Sequence, residues 1–103
     1  MKGEDTKHAF QHLWFACANG DLDMVRILHR EGEDLNQQTH LLRNTPLHIA
    51  VACGNMLIVK YLVEHGAQGS LSNHGGLTAI DLAEKTGHKD IISILLSQAP
   101  SGR

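Results

Sequence analysis

Aromatic residues are scarce in this chain of 103 residues: one Trp, one Tyr and two Phe. Trp14 and Phe15 are therefore expected to fill the core around the first segment, where few other large rings are at hand; anchoring a partner is their alternative use. Cysteine is nearly absent as well. Cys17 and Cys53 are two free-standing thiols, which argues against a disulfide framework. No long apolar run occurs, so no transmembrane span is expected. The N-terminal Met1-Lys2-Gly3-Glu4-Asp5 lacks the apolar segment of a signal peptide. Together these features point to the cytoplasm or nucleus. Charge of one sign is also lacking: the formal net charge is −2, so nothing electrostatic recruits nucleic acid or an anionic membrane. Catalytic signatures are missing too. There is no phosphate-binding glycine loop, no GxSxG and no HExxH.

What the chain does have is a repeat. Thr45-Pro46-Leu47-His48-Ile49-Ala50 returns 33 residues later as Thr78-Ala79-Ile80-Asp81-Leu82-Ala83. A weaker copy, Gln11-His12-Leu13-Trp14-Phe15-Ala16, lies 34 residues earlier. Such a period marks a repeat architecture. The register extends beyond the motif. Gly20, Gly54 and Gly87 align, as do Leu13, Leu47 and Ile80, then Val25, Val59 and Ile92, then Leu28, Leu62 and Leu95. Within a unit the apolar spacing is helical: Met24, Val25, Ile27 and Leu28 fall on one face. Each unit thus reads as a short helix, a glycine stop and a second amphipathic helix.

The punctuation agrees. Thr45 suits an N-cap and Pro46 the first helical position. Thr78 with Asp81 has the capping-box pattern. The aligned glycines suit left-handed helix ends, followed by Asp21 and Asn55 as caps of the next helices. Gly32 and Gly66 close the second helices of units one and two.

The Thr-Pro-Leu-His-x-Ala motif, the following Gly54 and the apolar helix ending at Gly66-Ala67 resemble the ankyrin repeat. The resemblance implies an all-α ankyrin-repeat solenoid of three helix-turn-helix units with projecting hairpin loops. The domain is expected over 6–98, with repeats at about 6–39, 40–72 and 73–98, and with tails at 1–5 and 99–103. Unit one departs from the motif, lacking Thr-Pro and carrying Trp14 in place of histidine, as suits a terminal repeat. Thr6 can cap a longer first helix that includes Phe10. Gly69-Ser70 stands where the family has a β-branched residue and asparagine, which loosens the second hairpin.

The family's geometry implies a non-catalytic module that binds another protein through hairpin tips and a concave face of first helices. A regulatory segment acting in cis within a kinase, channel or small-GTPase regulator is the alternative. No cofactor is expected, and the chain is expected to be monomeric. The first hairpin, His40-Leu41-Leu42-Arg43-Asn44, carries two leucines where such tips are usually polar. Adjacent residues of an extended arm face opposite ways, so one leucine should pack inward and the other project. Leu77 holds the place equivalent to Asn44. The same face is expected to include Asn19, Ala52, Cys53, His74, Lys85 and Thr86.

Four chemical readings remain. His48 is expected to bond backbone or a neighbouring loop near a helix start. His8 and His12 have the spacing of a helical zinc pair, but nothing nearby completes a tetrahedral set, so no metal is expected. Cys17 is expected to be a buried thiol, and Cys53 a partly exposed one without a basic neighbour to activate it. Finally, Leu28, Asp34, Leu35 and Asn36 resemble the Leu-x5-Asp-Val-Asn pattern that asparaginyl hydroxylases modify in ankyrin hairpins, with Leu35 replacing valine. Asn36 is thus a candidate modification site, or else a turn asparagine used for local hydrogen bonds.

Overall fold

The computed structural model describes residues 13–98. The Thr6 cap, Phe10, the His8–His12 pair and both tails lie outside the described residues. Among the described residues six helices fall into three pairs: α1 over residues 13–19 with α2 (Leu22–Arg30), α3 (Pro46–Ala52) with α4 (Met56–Glu64), and α5 (Ala79–Thr86) with α6 (Lys89–Gln98). Among the described residues there is no strand.

Helices α2 to α6 have only seven to ten residues. Isolated helices of that length are marginal in water, so packing must hold them. The second helices pack in series, α2 on α4 and α4 on α6, while α3 packs on α5. The buried columns follow the sequence register. Leu28, Leu62 and Leu95 form one, and Val25 and Val59 another. Each buried leucine contributes about 2 kcal/mol of transfer free energy.

The helix starts use the residues the motif supplies. Thr45 caps α3 by accepting the His48 N–H at 3.1 Å. Thr78 caps α5 by accepting from Asp81, whose carboxylate accepts the Thr78 N–H in return. Asp21 caps α2 by accepting the Met24 N–H. Asn55 departs from expectation. Its side chain does not cap α4. Its Nδ2 instead donates to the Cys17 carbonyl of the preceding pair at 2.6 Å. A cross-repeat bond has displaced a local one.

That bond explains why Gly20 is needed beyond its positive φ of 76°. A Cβ there would lie 3.3 Å from Asn55 Oδ1. One repeat later His88 lies over Gly54, where a Cβ would come within 3.0 Å of the imidazole. Gly20 and Gly54, which stop the first helices of pairs one and two, thus also let the next repeat approach.

Trp14 is half-buried, but Phe15 is 63% exposed, which corrects the expectation that both fill the core of the first unit. The counterparts of Phe15, Ile49 and Leu82, are packed against the core with other repeats around them.

Candidate interaction surface

The hairpins are held by a ladder of bonds between neighbouring repeats. His48 is its most buried member, with 1% exposure. Its Nδ1 accepts the Thr45 N–H at 3.1 Å and lies 2.8 Å from the Thr45 hydroxyl. A backbone N–H can only donate, so Nδ1 carries no proton and the proton sits on Nε2. Nε2 then donates to the Leu77 carbonyl in the next hairpin at 2.8 Å. One imidazole therefore closes a capping box and ties two repeats. Both halves of the sequence reading hold: backbone contact at the helix start, and contact with a neighbouring loop.

Asn36 does similar work one hairpin earlier. Its Nδ2 donates to the Gly66 carbonyl at 3.2 Å, and its Oδ1 accepts the Gln68 N–H at 2.8 Å. Its own N–H donates to Asp34, a local turn bond. Both ends of the amide are thus occupied across the repeat boundary. A hydroxylase acting on Asn36 would meet a bridged side chain.

The first tip is a turn rather than an extended arm. The Thr39 N–H donates to Asn44, and the Arg43 N–H donates back to Thr39. Arg43 sits in the left-handed region with φ 55°. In the shorter second hairpin Gly76 takes that place, with φ 80°. Because residues 40–42 form the turn itself, the alternation of an extended arm does not apply. Leu41 is 77% exposed and Leu42 62% exposed, so both project and neither packs inward.

The exposed leucines rest on a fixed backbone. The Leu42 carbonyl accepts the His74 N–H of the second hairpin at 2.8 Å. Gln38 Nε2 donates to the carbonyls of Arg43 and Ser72. Asn73 donates to Asn44 through their side chains at 2.9 Å. Sequence reading missed Gln38, which carries no signal beyond being a polar residue in a loop.

The structure therefore brings together His40, Leu41, Leu42, Arg43, Asn44, His74 and Leu77 at two linked tips. Leu77 is half-buried and contributes its carbonyl to the ladder. Asn19, Ala52, Cys53, Lys85 and Thr86 are exposed at the far ends of the first helices. A seven-residue helix such as α3 rises about 10 Å, so these residues form a second group at the opposite end of the first helices. The Thr86 hydroxyl is engaged with the Leu82 and Ala83 carbonyls.

The thiols offer little chemistry. Cys17 is buried, and burial pushes its pKa up to about 12, with nearby Cys53 adding to the rise. It is a protonated, unreactive thiol at neutral pH. Cys53 is exposed. Among the described residues, no group of three or more His, Cys, Asp and Glu side chains is placed to hold a metal ion. No described helix is long and apolar enough to cross a membrane.

Residues 13–102 match the family model described as ankyrin repeats (3 copies). The chain belongs to the ankyrin-repeat family. Ankyrin repeats are protein-interaction modules and are generally non-catalytic, although some larger enzymes carry them. The chain is 38% identical over 96 residues to the potassium channel KOR1 of Oryza sativa subsp. japonica, covering 93% of this chain and 11% of that protein. It is 36% identical over 87 residues to an L-asparaginase of Dirofilaria immitis, covering 84% of this chain and 15% of that one. It is also 36% identical over 75 residues to the ADP-ribosylation factor GTPase-activating protein AGD2 of Arabidopsis thaliana, covering 73% and 10%. The chain spans a small part of the length of each of these ankyrin-containing relatives.

Proposed function

We propose that this ankyrin domain is a non-catalytic module that binds another protein through its linked hairpin tips, with the ends of the first helices as a flanking surface. One observation carries the reading: Leu41 and Leu42 are 77% and 62% exposed side by side on a tip whose backbone is bonded to the next hairpin. Exposed apolar side chains on a preorganised loop lose little entropy when a partner covers them. His40, Arg43 and His74 surround them with polar groups, the arrangement of an apolar anchor within a polar rim. Two unpaired thiols support a cytoplasmic or nuclear setting.

The test is a side-by-side capture from cell lysate with the wild-type chain and a Leu41→Asp/Leu42→Asp variant. A protein retained by the first and lost by the second supports the reading. A protein retained equally by both moves the site away from the tip.

A second reading has its own support. The relatives carry their matching segment as 10 to 15% of a channel, a GTPase-activating protein and an asparaginase. In that setting the same face would act in cis on another part of one polypeptide. Finding the tip residues protected by a covalently linked domain, with no partner captured in trans, would favour it.

A further inference from the structure

Acidic residues are unevenly spread along this chain. No Asp or Glu occurs between Asp34 and Glu64, nor between Glu64 and Asp81. Both hairpin tips fall within these two stretches, although the whole chain has 11 acidic residues and a net charge of −2. Carboxylates that flank the tips in sequence are occupied locally. Glu33 accepts from Gln37 Nε2, Asp34 accepts the Asn36 N–H, and Asp81 accepts the Thr78 N–H.

The cationic groups of the tips are open. Arg43 is exposed, and its Nη2 lies 3.4 Å from Gln38 Oε1, a neutral acceptor. Gln38 is itself fixed, because its Nε2 donates to the carbonyls of Arg43 and Ser72. Among the described residues the guanidinium pairs with no carboxylate, so its charge is uncompensated. His40 and His74 are exposed as well, and the His74 N–H donates to the Leu42 carbonyl. Ile27, another bare apolar residue, is in a different setting: Asp23 and Glu31 lie one turn to either side of it. The two leucines of the tip are thus exposed apolar groups beside cations and away from carboxylates.

Taking the tips as the binding face, we propose that their occupant is an acidic apolar segment of another protein, in which carboxylates flank large apolar side chains. Leu41 and Leu42 cover the apolar groups, and the planar fork of Arg43 takes a carboxylate. A basic segment would set like charge against Arg43 and leave it unpaired. Nucleic acid fits poorly, because phosphates offer nothing to two leucines and the chain is negative overall. An anionic bilayer fits poorly too, because a single arginine attracts it only weakly.

The test selects a display library of short linear peptides on the whole chain, and again on a Leu41→Ser/Leu42→Ser variant that removes the apolar groups without adding charge. Peptides that need the leucines are then synthesised and titrated against wild type, Arg43→Asn and Arg43→Glu by fluorescence anisotropy, with the fold of each variant checked by urea unfolding. Asparagine removes the charge and still accepts the left-handed backbone of position 43. The leucine-dependent peptides are expected to combine net negative charge with large apolar residues. Their affinity should fall about threefold to fivefold with Arg43→Asn and about tenfold or more with Arg43→Glu. It should also fall about threefold as NaCl rises from about 50 to about 300 mM. Leucine-dependent peptides that are neutral or basic, or that ignore Arg43→Glu, overturn the acidic partner and leave the tips as the binding face. Peptides held equally by the serine variant, or no enriched peptide at all, overturn both. Sedimentation of the chain with phosphatidylserine vesicles, lost in the serine variant, would overturn the proposal by assigning the tip to a lipid surface.

Discussion

Replacing His48 by alanine should destabilise the domain by about 3 kcal/mol, and the structure says where that comes from. Thr45 is 1% exposed, so its N–H would lose its Nδ1 partner without gaining water. A buried unsatisfied donor costs about 1–3 kcal/mol. The Leu77 carbonyl would lose its bond from Nε2 but keep the one from Asn73, so that loss is about 1 kcal/mol. Trimming the buried ring adds a packing term of similar size. The helix cap itself survives, because the Thr45 hydroxyl accepts the backbone N–H of residue 48 whatever the side chain. Three short repeats have a margin of order 5 kcal/mol, near the low end for globular domains. A loss of about 3 kcal/mol would lower the urea midpoint by about 2 M at an m-value of about 1.5 kcal/mol/M. His48→Gln should recover part of this, because glutamine at the third helical position can accept the cap N–H. An alanine variant within about 1 kcal/mol of wild type, or a glutamine variant no better than alanine, would refute the bond accounting.

Other outcomes follow from the same contacts. Arg43→Gly should raise stability by about 0.5–1 kcal/mol in urea unfolding, because it relieves a left-handed backbone that Gly76 adopts freely in the next hairpin. The Gln38 bridge would persist, since it uses the carbonyl of residue 43. Asn36→Ala should cost about 1–2 kcal/mol, since it breaks the bonds to Gly66 and Gln68, and should lower Tm by roughly 5–10 °C. Intact-mass analysis of protein from cells with an active asparaginyl hydroxylase checks the modification reading: one added oxygen at Asn36 supports it. Cys17 predicts a pH effect. Its thiol rises from 9.0 to about 12 in the fold, so the native state holds the proton more tightly. Stability from this group is intact below pH 9 and falls by about 1.4 kcal/mol per pH unit as pH rises toward 12. The difference in urea midpoint between wild type and Cys17→Ala should show that slope above pH 9 and flatten below it.

Much of this architecture was legible in the residues because each signal had one dominant cause. Thr45 and Thr78 cap because hydroxyls pair with free helix N–H groups, and Gly20, Gly54 and Gly87 end helices because they tolerate positive φ. His48 was readable as a backbone partner near a helix start. The misreadings arose where a tertiary contact outcompeted a local rule. Asn55 had the chemistry of a cap but found the Cys17 carbonyl across the repeat. By sequence Leu41 and Leu42 read as an extended arm with alternating faces, yet they occupy the turn between Thr39 and Asn44, where alternation has no meaning. Phe15 looked like core by hydrophobicity alone. Its exposure follows from its end position in a column, which composition does not encode. Gln38 gave no sequence signal, because any loop glutamine looks the same until the carbonyls of Arg43 and Ser72 are placed around it.

The linked hairpin tips are the proposed binding face. Backbone amide NMR of the labelled chain, titrated with the protein that it captures, tests this most directly. The largest shift changes should fall on residues 40–44, 74 and 77, with smaller ones at Ala52, Cys53, Lys85 and Thr86. Changes confined to the outer faces of α2, α4 and α6, with the tips unmoved, would contradict it.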